Sequence, residues 1–246
     1  MKVGLFIPCY IDQFFPEVGI ATLQLLEKQN CEVFFPEQQT CCGQPLANTG
    51  MEQDGKKIYN QLAQLFPKCD YVVVPSPSCV HHIREHYDIV EQTDEILHLR
   101  KNTYDIVEFL VDILKVEHLD ARFPHRVGLH QSCHGLRGLQ LAKPSELMKN
   151  IPSKWNKVLE MVEGIELAEL NRPDECCGFG GTFAVAEEAI SVKMGKDRLA
   201  DHVANKVEVL TSGDMSCLMH LQGIARRQKN GLKIMHIANI LNGDQL

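Results

Sequence analysis

Cysteines are the residues of this chain whose number and spacing most clearly indicate chemistry. Ten occur in 246 residues, and eight of them form two sets that repeat in the same order along the chain. Each set contains one Cys-Cys-Gly triplet, at residues 41–43 and 176–178. Two further cysteines, Cys31 and Cys69, have no counterpart, and we interpret them as small buried apolar residues. The first set is Cys9, Cys41, Cys42 and Cys79, and the second is Cys133, Cys176, Cys177 and Cys217.

Each Cys-Cys-Gly triplet favours the binding of a metal cluster. Adjacent Cα atoms lie about 3.8 Å apart, which is below the roughly 4.4–6.8 Å that a disulfide requires. Two neighbouring thiolates repel each other unless a cation neutralises them, and bridged iron atoms can accept both. The glycine lets the backbone turn with positive φ and brings its amide toward the sulfurs. We therefore expect one iron–sulfur cluster on each set, with all eight cysteines as ligands.

Other interpretations of the eight cysteines stay open at this stage. Four thiolates also suit zinc, although the short Cys-x-x-Cys knuckles of many zinc sites are absent. Unreactive thiols buried in a core are common as well. A thiol–disulfide mechanism is less expected, because the chain has no Cys-x-x-Cys redox motif.

The order of apolar segments predicts alternating strands and helices in both halves. Strands are expected at residues 2–8, 32–35 and 71–74, and again at residues 126–131, 165–170 and 206–210. A fourth strand is predicted in each half, at residues 95–99 and 233–237. Open parallel sheets bind ligands beyond the carboxyl ends of their strands, so the cysteines of each half should converge at one sheet edge.

Helical spacing of apolar residues fills the gaps between these strands. Pro16 begins one helix, Ile58, Leu62 and Leu65 mark a second, and Trp155 and Val158 mark its counterpart in the other half. The spacing also predicts an amphipathic helix over residues 104–114. The sequence thus predicts an α/β fold of two similar pseudo-repeat halves, each a mostly parallel sheet flanked by helices. With residues 116–124 as linker, the halves are residues 1–120 and 121–246.

Composition and charge narrow the class of protein further. Apolar residues make up 44% and charged residues 23% of the chain, which is ordinary for a globular protein. The net charge of −7 argues against nucleic acid as a partner. We expect no transmembrane segment and no signal peptide, and hence a cytoplasmic protein. Ten cysteines in a reducing compartment indicate metal or redox chemistry rather than disulfides.

Four local motifs resemble the cysteine-rich domain of iron–sulfur oxidoreductase subunits. That group includes a subunit of heterodisulfide reductase and the iron–sulfur subunits of glycolate oxidase and anaerobic glycerol-3-phosphate dehydrogenase. The motifs are Pro-Glu-Val-Gly at 16–19, Cys-Cys-Gly-Gln-Pro at 41–45, Pro-Ser-Pro-Ser-Cys at 75–79 and Cys-Cys-Gly-Phe-Gly-Gly-Thr-Phe at 176–183. In length, and in having no added ferredoxin domain, the chain is most similar to members of the group that serve in lactate oxidation.

The resemblance implies an oxidoreductase subunit that is not active alone. It would carry electrons within a complex, working with two partner subunits in the oxidation of L-lactate to pyruvate, or of another 2-hydroxy acid. Its cofactors would be two 4Fe-4S clusters, which air can remove or zinc replace. The alternatives are a thiol or disulfide redox subunit like that of heterodisulfide reductase, and a zinc-binding interaction protein.

One position departs from the heterodisulfide reductase pattern, in which each half ends with Cys-x-x-Cys. Here the second position is His82 in the first half and His220 in the second. Four thiolates in each half favour a conventional 4Fe-4S cluster. Because three positions along a helix return to the same face, both histidines are candidates for a fifth ligand or for a hydrogen bond to the cluster. The alternative is an ordinary polar residue at a helix start.

A small basic group surrounds Cys133. It consists of His130, His134 and Arg137. Arg137 is a candidate for binding a substrate carboxylate in a bidentate manner. The alternative is that His134 and Arg137 offset cluster charge or face solvent. The sequence identifies no catalytic residue.

Overall fold

Two parallel sheets of four strands form the framework of the protein, as seen in a computed structural model that describes all 246 residues. The first half contains β1 (Lys2–Leu5), β2 (Glu32–Phe34), β3 (Tyr71–Val74) and β4 (Thr103–Asp105). The second half contains β5 (Arg126–Leu129), β6 (Glu166–Leu167), β7 (Val209–Ser212) and β8 (Lys233–His236). The strand orders are β2-β1-β3-β4 and β6-β5-β7-β8, and every pairing is parallel. The predicted fold of two similar α/β halves is confirmed.

Helices connect and flank the strands. The first half has α1 (Cys9–Phe14), α2 (Pro16–Lys28), α3 (Gln44–Asn48), α4 (Lys56–Leu65), α5 (Pro77–His86), α6 (Asp94–Asn102) and α7 (Ile106–Glu108), which continues as a π-helical turn over Phe109–Ile113. The second half has a π-helical turn at His134–Gly138, then α8 (Lys154–Leu159), α9 (Phe183–Ala186), α10 (Glu188–Ala204), α11 (Met215–Gln228) and α12 (Ile237–Asn242). None of these helices combines the length and the apolar character needed to span a bilayer.

The central strands of the two sheets repeat each other almost residue for residue. β1 reads Lys-Val-Gly-Leu and β5 reads Arg-Val-Gly-Leu. A Cβ atom on Gly4 would lie 2.4 Å from the ring of Phe66, and one on Gly128 would lie 2.4 Å from the ring of His202. A glycine at this position therefore lets a large ring pack directly on the central strand of each half.

The larger of two hydrophobic clusters spans both halves and forms the main core, and the smaller lies in the first half. Buried residues from both sheets, including Leu5 and Val209, belong to the same cluster. The last helix of each half crosses to the other half, since α12 packs on α2 and α7 packs on α8. Residues 116–124 contain no helix or strand, as expected of a linker, but Val116, Leu119 and Phe123 are buried in this core. The boundary between residues 120 and 121 stays a prediction.

Two details of the predicted secondary structure are wrong. Residues 95–99 lie in α6, and the fourth strand follows it as β4. The Thr93 hydroxyl accepts a hydrogen bond from the Ile96 amide at the start of this helix, and Arg100 and Lys101 occupy its last turn. Both features stabilise helix ends, and here they outweigh the apolar character that suggested a strand. The helix predicted over residues 104–114 begins at Ile106, because Thr103–Asp105 pair with β3.

The predicted correspondence between helices also needs correction. The helix that contains Trp155 lies between β5 and β6, so it corresponds to α2 rather than to the helix at Ile58. The counterpart of that helix is α10, which was not predicted. α10 exposes many of its side chains and carries charges throughout, so its apolar period is weak.

Candidate metal centre

One cavity collects all eight cysteines of the two sets. Its volume is about 420 Å³, and it lies where the carboxyl ends of the two sheets face each other. The two unmatched cysteines, Cys31 and Cys69, are outside this cavity and are buried in the core. The cysteines of each half were expected at the edge of their own sheet. The structure adds that both edges open into the same cavity. The cavity also contains Tyr10 and Phe179, whose rings meet edge to face at 6.2 Å.

The first set forms a network of thiol contacts. The Sγ atom of Cys9 lies 3.6 Å from that of Cys41, and the Sγ atom of Cys42 lies 3.2 Å from that of Cys79. Hydrogen bonds from the thiols of Cys42 and Cys9 lower the pKa of Cys41 to about 3, and the Gly43 amide adds to this effect. The same hydrogen bonds raise the pKa of Cys9 and of Cys42. Cys41 is therefore ionised more readily than Cys9 or Cys42.

The second set repeats this pattern. Hydrogen bonds from Cys133 and Cys177 lower the pKa of Cys176 to about 2, with a further contribution from the Gly178 amide. The pKa values of Cys133 and Cys177 are raised in turn. The first cysteine of each Cys-Cys-Gly triplet is thus ionised more readily than the second.

The glycines of the two triplets adopt the predicted left-handed turn. Gly43 has φ of 87° and Gly178 has φ of 89°. Each amide donates to the sulfur two residues earlier, over 3.3 Å, to Cys41 or Cys176. A Cβ atom at Gly178 would lie 2.6 Å from the carbonyl oxygen of Ser191. Both the positive φ and the close backbone therefore require glycine here.

A buried carboxylate joins the first turns of α5 and α11, which carry the last cysteine of each set. Asp214 accepts hydrogen bonds from the Ser76 hydroxyl at 3.2 Å and from the Ser78 amide and hydroxyl at 3.1 and 2.9 Å. Asp214 is 2% exposed. Ser78 and Asp214 are 136 residues apart in sequence, and their contact keeps Cys79 and Cys217 in the lining of the same cavity. Asp214 and Ser76 occupy equivalent helix starts, but no local sequence pattern links the two positions.

The residues that line the cavity fit a thiolate-bound metal group. The donor set contains eight sulfurs, two of them on thiols with a lowered pKa, and backbone amides face the sulfurs as they do around clusters. Four thiolates about 2.3 Å from a single tetrahedral zinc stand about 3.8 Å apart. The contacts of 3.6 and 3.2 Å in the first set are shorter, so these thiols would have to separate for a single zinc ion to bind all four.

The two histidines that follow the last cysteines make contacts other than with sulfur. The Nε2 atom of His82 lies 3.2 Å from the hydroxyl of Tyr59, and burial lowers the pKa of His82 to about 3. The Nε2 atom of His220 lies 3.5 Å from the Ser191 hydroxyl, and burial lowers its pKa as well. Both are neutral near pH 7, and their influence on a cluster stays a prediction.

The predicted basic group around Cys133 is divided in the structure. His134 lines the cavity, and its ring lies 5.4 Å from that of His81. The guanidinium of Arg137 is engaged by Glu146, over 2.6 and 3.1 Å, and lies 3.5 Å from Asp174. A substrate carboxylate would have to displace these acids to bind Arg137.

His130 is neutral, and it also approaches the second set. It is fully buried, and burial together with the charge of Arg198 lowers its pKa to about 3. One of its ring nitrogens lies within 4.8 Å of the sulfurs of Cys177 and Cys217. The sequence predicted its position at the end of a central strand. It could not predict its hydrogen-bond partner, because Arg198 lies 68 residues away in sequence.

Comparison with known proteins assigns the class. The family model described as "Cysteine-rich domain" matches residues 3–84 and 127–222, once in each half of the chain. The chain therefore belongs to the cysteine-rich domain family.

The individual relatives match nearly the whole chain. It is 42% identical to lactate utilization protein A of Oceanobacillus iheyensis, over 98% of this chain and 97% of that protein. It is 40% identical to the protein of the same name from Geobacillus thermodenitrificans, over 98% and 99%, and 36% identical to lactate utilization protein A 2 of Bacillus cereus, over 98% of each. Among solved structures, an aspartate racemase of Picrophilus torridus covers 98% of this chain and 90% of its own, at 11% identity and a TM-score of 0.36, too low to support an argument.

Proposed function

We propose that this chain is the iron–sulfur subunit of a system that oxidises L-lactate, and that it carries electrons on two clusters, one held by each cysteine set. The observation that carries the proposal is the convergence of all eight matched cysteines on one cavity. Separate structural thiols would have no reason to meet there, and the two unmatched cysteines do not. The names of the relatives supply lactate as the substrate of the system.

Each half has a defined part in this function. Its four thiols ligate the group, and the glycine amide of its triplet donates toward the sulfurs. A 4Fe-4S cluster supplies one-electron transfer, so two of them match the two-electron oxidation of a 2-hydroxy acid. The chain itself contributes ligation, burial and hydrogen bonds that set the potential.

The remaining steps belong to partner subunits. No residue of the cavity is assigned the removal of hydrogen from lactate, so we place that step on a partner that delivers electrons to this chain. Ten unpaired thiols are typical of a reducing compartment, which supports a cytoplasmic location.

Growth on lactate tests the proposed function. Cells that lack this chain should fail to grow on L-lactate as carbon source and should still grow on pyruvate. The wild-type gene and a Cys31→Ala variant should restore growth, because Cys31 lies outside the cavity. Cys41→Ser and Cys177→Ser should not restore it. Normal growth of the deletion strain on L-lactate would contradict the proposal.

A further inference from the structure

The two cysteine sets differ at the residue that ends the central strand of each half. Counted from the matched strands β1 and β5, Phe6 in the first half corresponds to His130 in the second. Both side chains are 0% exposed. The first set therefore has an apolar ring at this position, where the second set has an imidazole.

The hydrogen bonds of His130 fix which of its nitrogens carries the proton. The Nε atom of Arg198 donates to the Nδ1 atom of His130 over 3.2 Å. A guanidinium is always protonated in proteins, so Nδ1 must offer its lone pair, and the proton of the neutral ring resides on Nε2. The Nε2 atom is buried and has no hydrogen-bond partner within the protein.

Arg198 is itself held firmly in place. Its side chain is 0% exposed, and it donates to the carbonyl oxygens of Arg172 at 2.6 Å and Leu129 at 3.1 Å and to the carboxylate of Asp201 at 3.3 Å. Such a network orients the imidazole and keeps its tautomer constant, as outer hydrogen-bond partners do around metal centres. An unsatisfied buried N–H destabilises a folded protein, so this donor is expected to have an acceptor in the working protein.

We infer that the Nε2–H group of His130 donates a hydrogen bond to a sulfur of the group held by the second set, with Arg198 as its positioning residue, and that this makes the second site the better electron acceptor. The inference rests on the proposed function, since it needs a cluster on each set. Hydrogen bonds to sulfur stabilise the more negative, reduced state and raise its potential. With a cluster on each set, the second set, beside His130, would be the preferred electron acceptor relative to the first set, beside Phe6.

This role differs from metal ligation. The grouping of His130 with Cys177 and Cys217 within 4.8 Å is also compatible in distance with a shared metal. Ligation through Nε2 would require the lone pair there and the proton on Nδ1, directly opposite the Arg198 donor. The guanidinium thus selects the donor form over the ligand form.

Redox titration of the full-length protein, purified without oxygen and followed by EPR, tests the inference. His130→Phe copies the first half, whereas His130→Gln retains an N–H donor. His130→Phe should keep the iron of both sites and move only the higher of the two potentials, to a more negative value. A difference in potential of about 59 mV corresponds to a tenfold change in how one electron is distributed between the two sites. His130→Gln should restore part of the shift.

The outcomes separate this inference from the proposed function. Wild-type protein that binds no iron would contradict the proposed function and the inference together. Iron-loaded His130→Phe with both potentials unchanged would contradict only the role of His130. Pulsed EPR of the wild-type protein with ¹⁵N-labelled histidine gives a test that needs no variant. Weak nitrogen coupling is expected, and the strong coupling of a directly bound nitrogen would overturn the donor role.

Discussion

In both halves, hydrogen bonds from two neighbouring thiols and from a glycine amide lower the pKa of the first cysteine of the Cys-Cys-Gly triplet. The surroundings of the two sets are not repeated in the same way. Cys42 lies beside the stacked rings of Tyr59 and Tyr87, and the Tyr87 hydroxyl donates to its carbonyl oxygen at 2.9 Å. The second set lies beside His130 and its buried arginine. The duplicated fold thus keeps the cysteines constant, while the residues around them differ between the two halves.

A second pair of equivalent positions, at the ends of β4 and β8, also differs between the two halves. Asp105 ends β4 and His236 ends β8, and each caps the following helix by accepting a backbone amide, from Val107 at 2.9 Å and Ala238 at 3.1 Å. Burial raises the pKa of Asp105 to about 8 and lowers that of His236 to about 4. Both caps are therefore neutral around pH 7, one by gaining a proton and the other by losing one.

Removing one proposed ligand from one set at a time has the largest expected effect. It tests whether the two sets bind iron independently of each other. Cys41→Ser should lose the iron of the first set and keep that of the second, and Cys177→Ser should do the reverse, because each set draws its ligands from one half. Iron and acid-labile sulfide measured without oxygen check this result, with Cys31→Ala as a fully loaded control. Complete loss of iron from either folded variant would contradict two separate sites.

Asp105→Asn tests whether the cap at Asp105 makes the free energy of unfolding depend on pH. The pKa of Asp105 is raised to about 8 in the folded state, against about 3.9 in the unfolded chain. Its contribution to the free energy of unfolding is therefore complete below a pH of about 3.9 and is lost as the pH rises through about 8. Between those limits the loss is about 1.4 kcal/mol per pH unit. Asparagine still caps the helix but does not titrate. Urea unfolding of metal-free protein between pH 4 and 8 should show that this slope is absent in the variant.

His236→Asn has the opposite and smaller expected effect. A histidine with a lowered folded pKa is neutral in both states above about 6.5, and stability is lost as the pH falls from there to 4. The window spans fewer pH units than that of Asp105, so the total change is smaller. The variant should lose less free energy of unfolding than the wild type between pH 7 and 4. Equal slopes in both proteins would show that His236 is not a neutral cap.

The repeated parts of the architecture could be predicted from the sequence, because they are local. Strands next to cysteines, the positive φ of Gly43 and Gly178, and the parallel sheets all followed from patterns within a few residues. The misassigned helix at residues 94–102 had a Thr93 cap that outweighed its apolar run. The shared cavity, the Asp214 contacts and the pairing of His130 with Arg198 join residues 68 to 138 positions apart, so only the fold reveals them.

The central claim is that this protein holds two iron–sulfur clusters, one on each cysteine set. The most direct measurement is the content of iron, acid-labile sulfide and zinc in full-length protein purified without oxygen, together with EPR of the reduced form. We expect iron and sulfide in the amounts of two clusters and two EPR signals with different potentials. Stoichiometric zinc without labile sulfide would contradict the account.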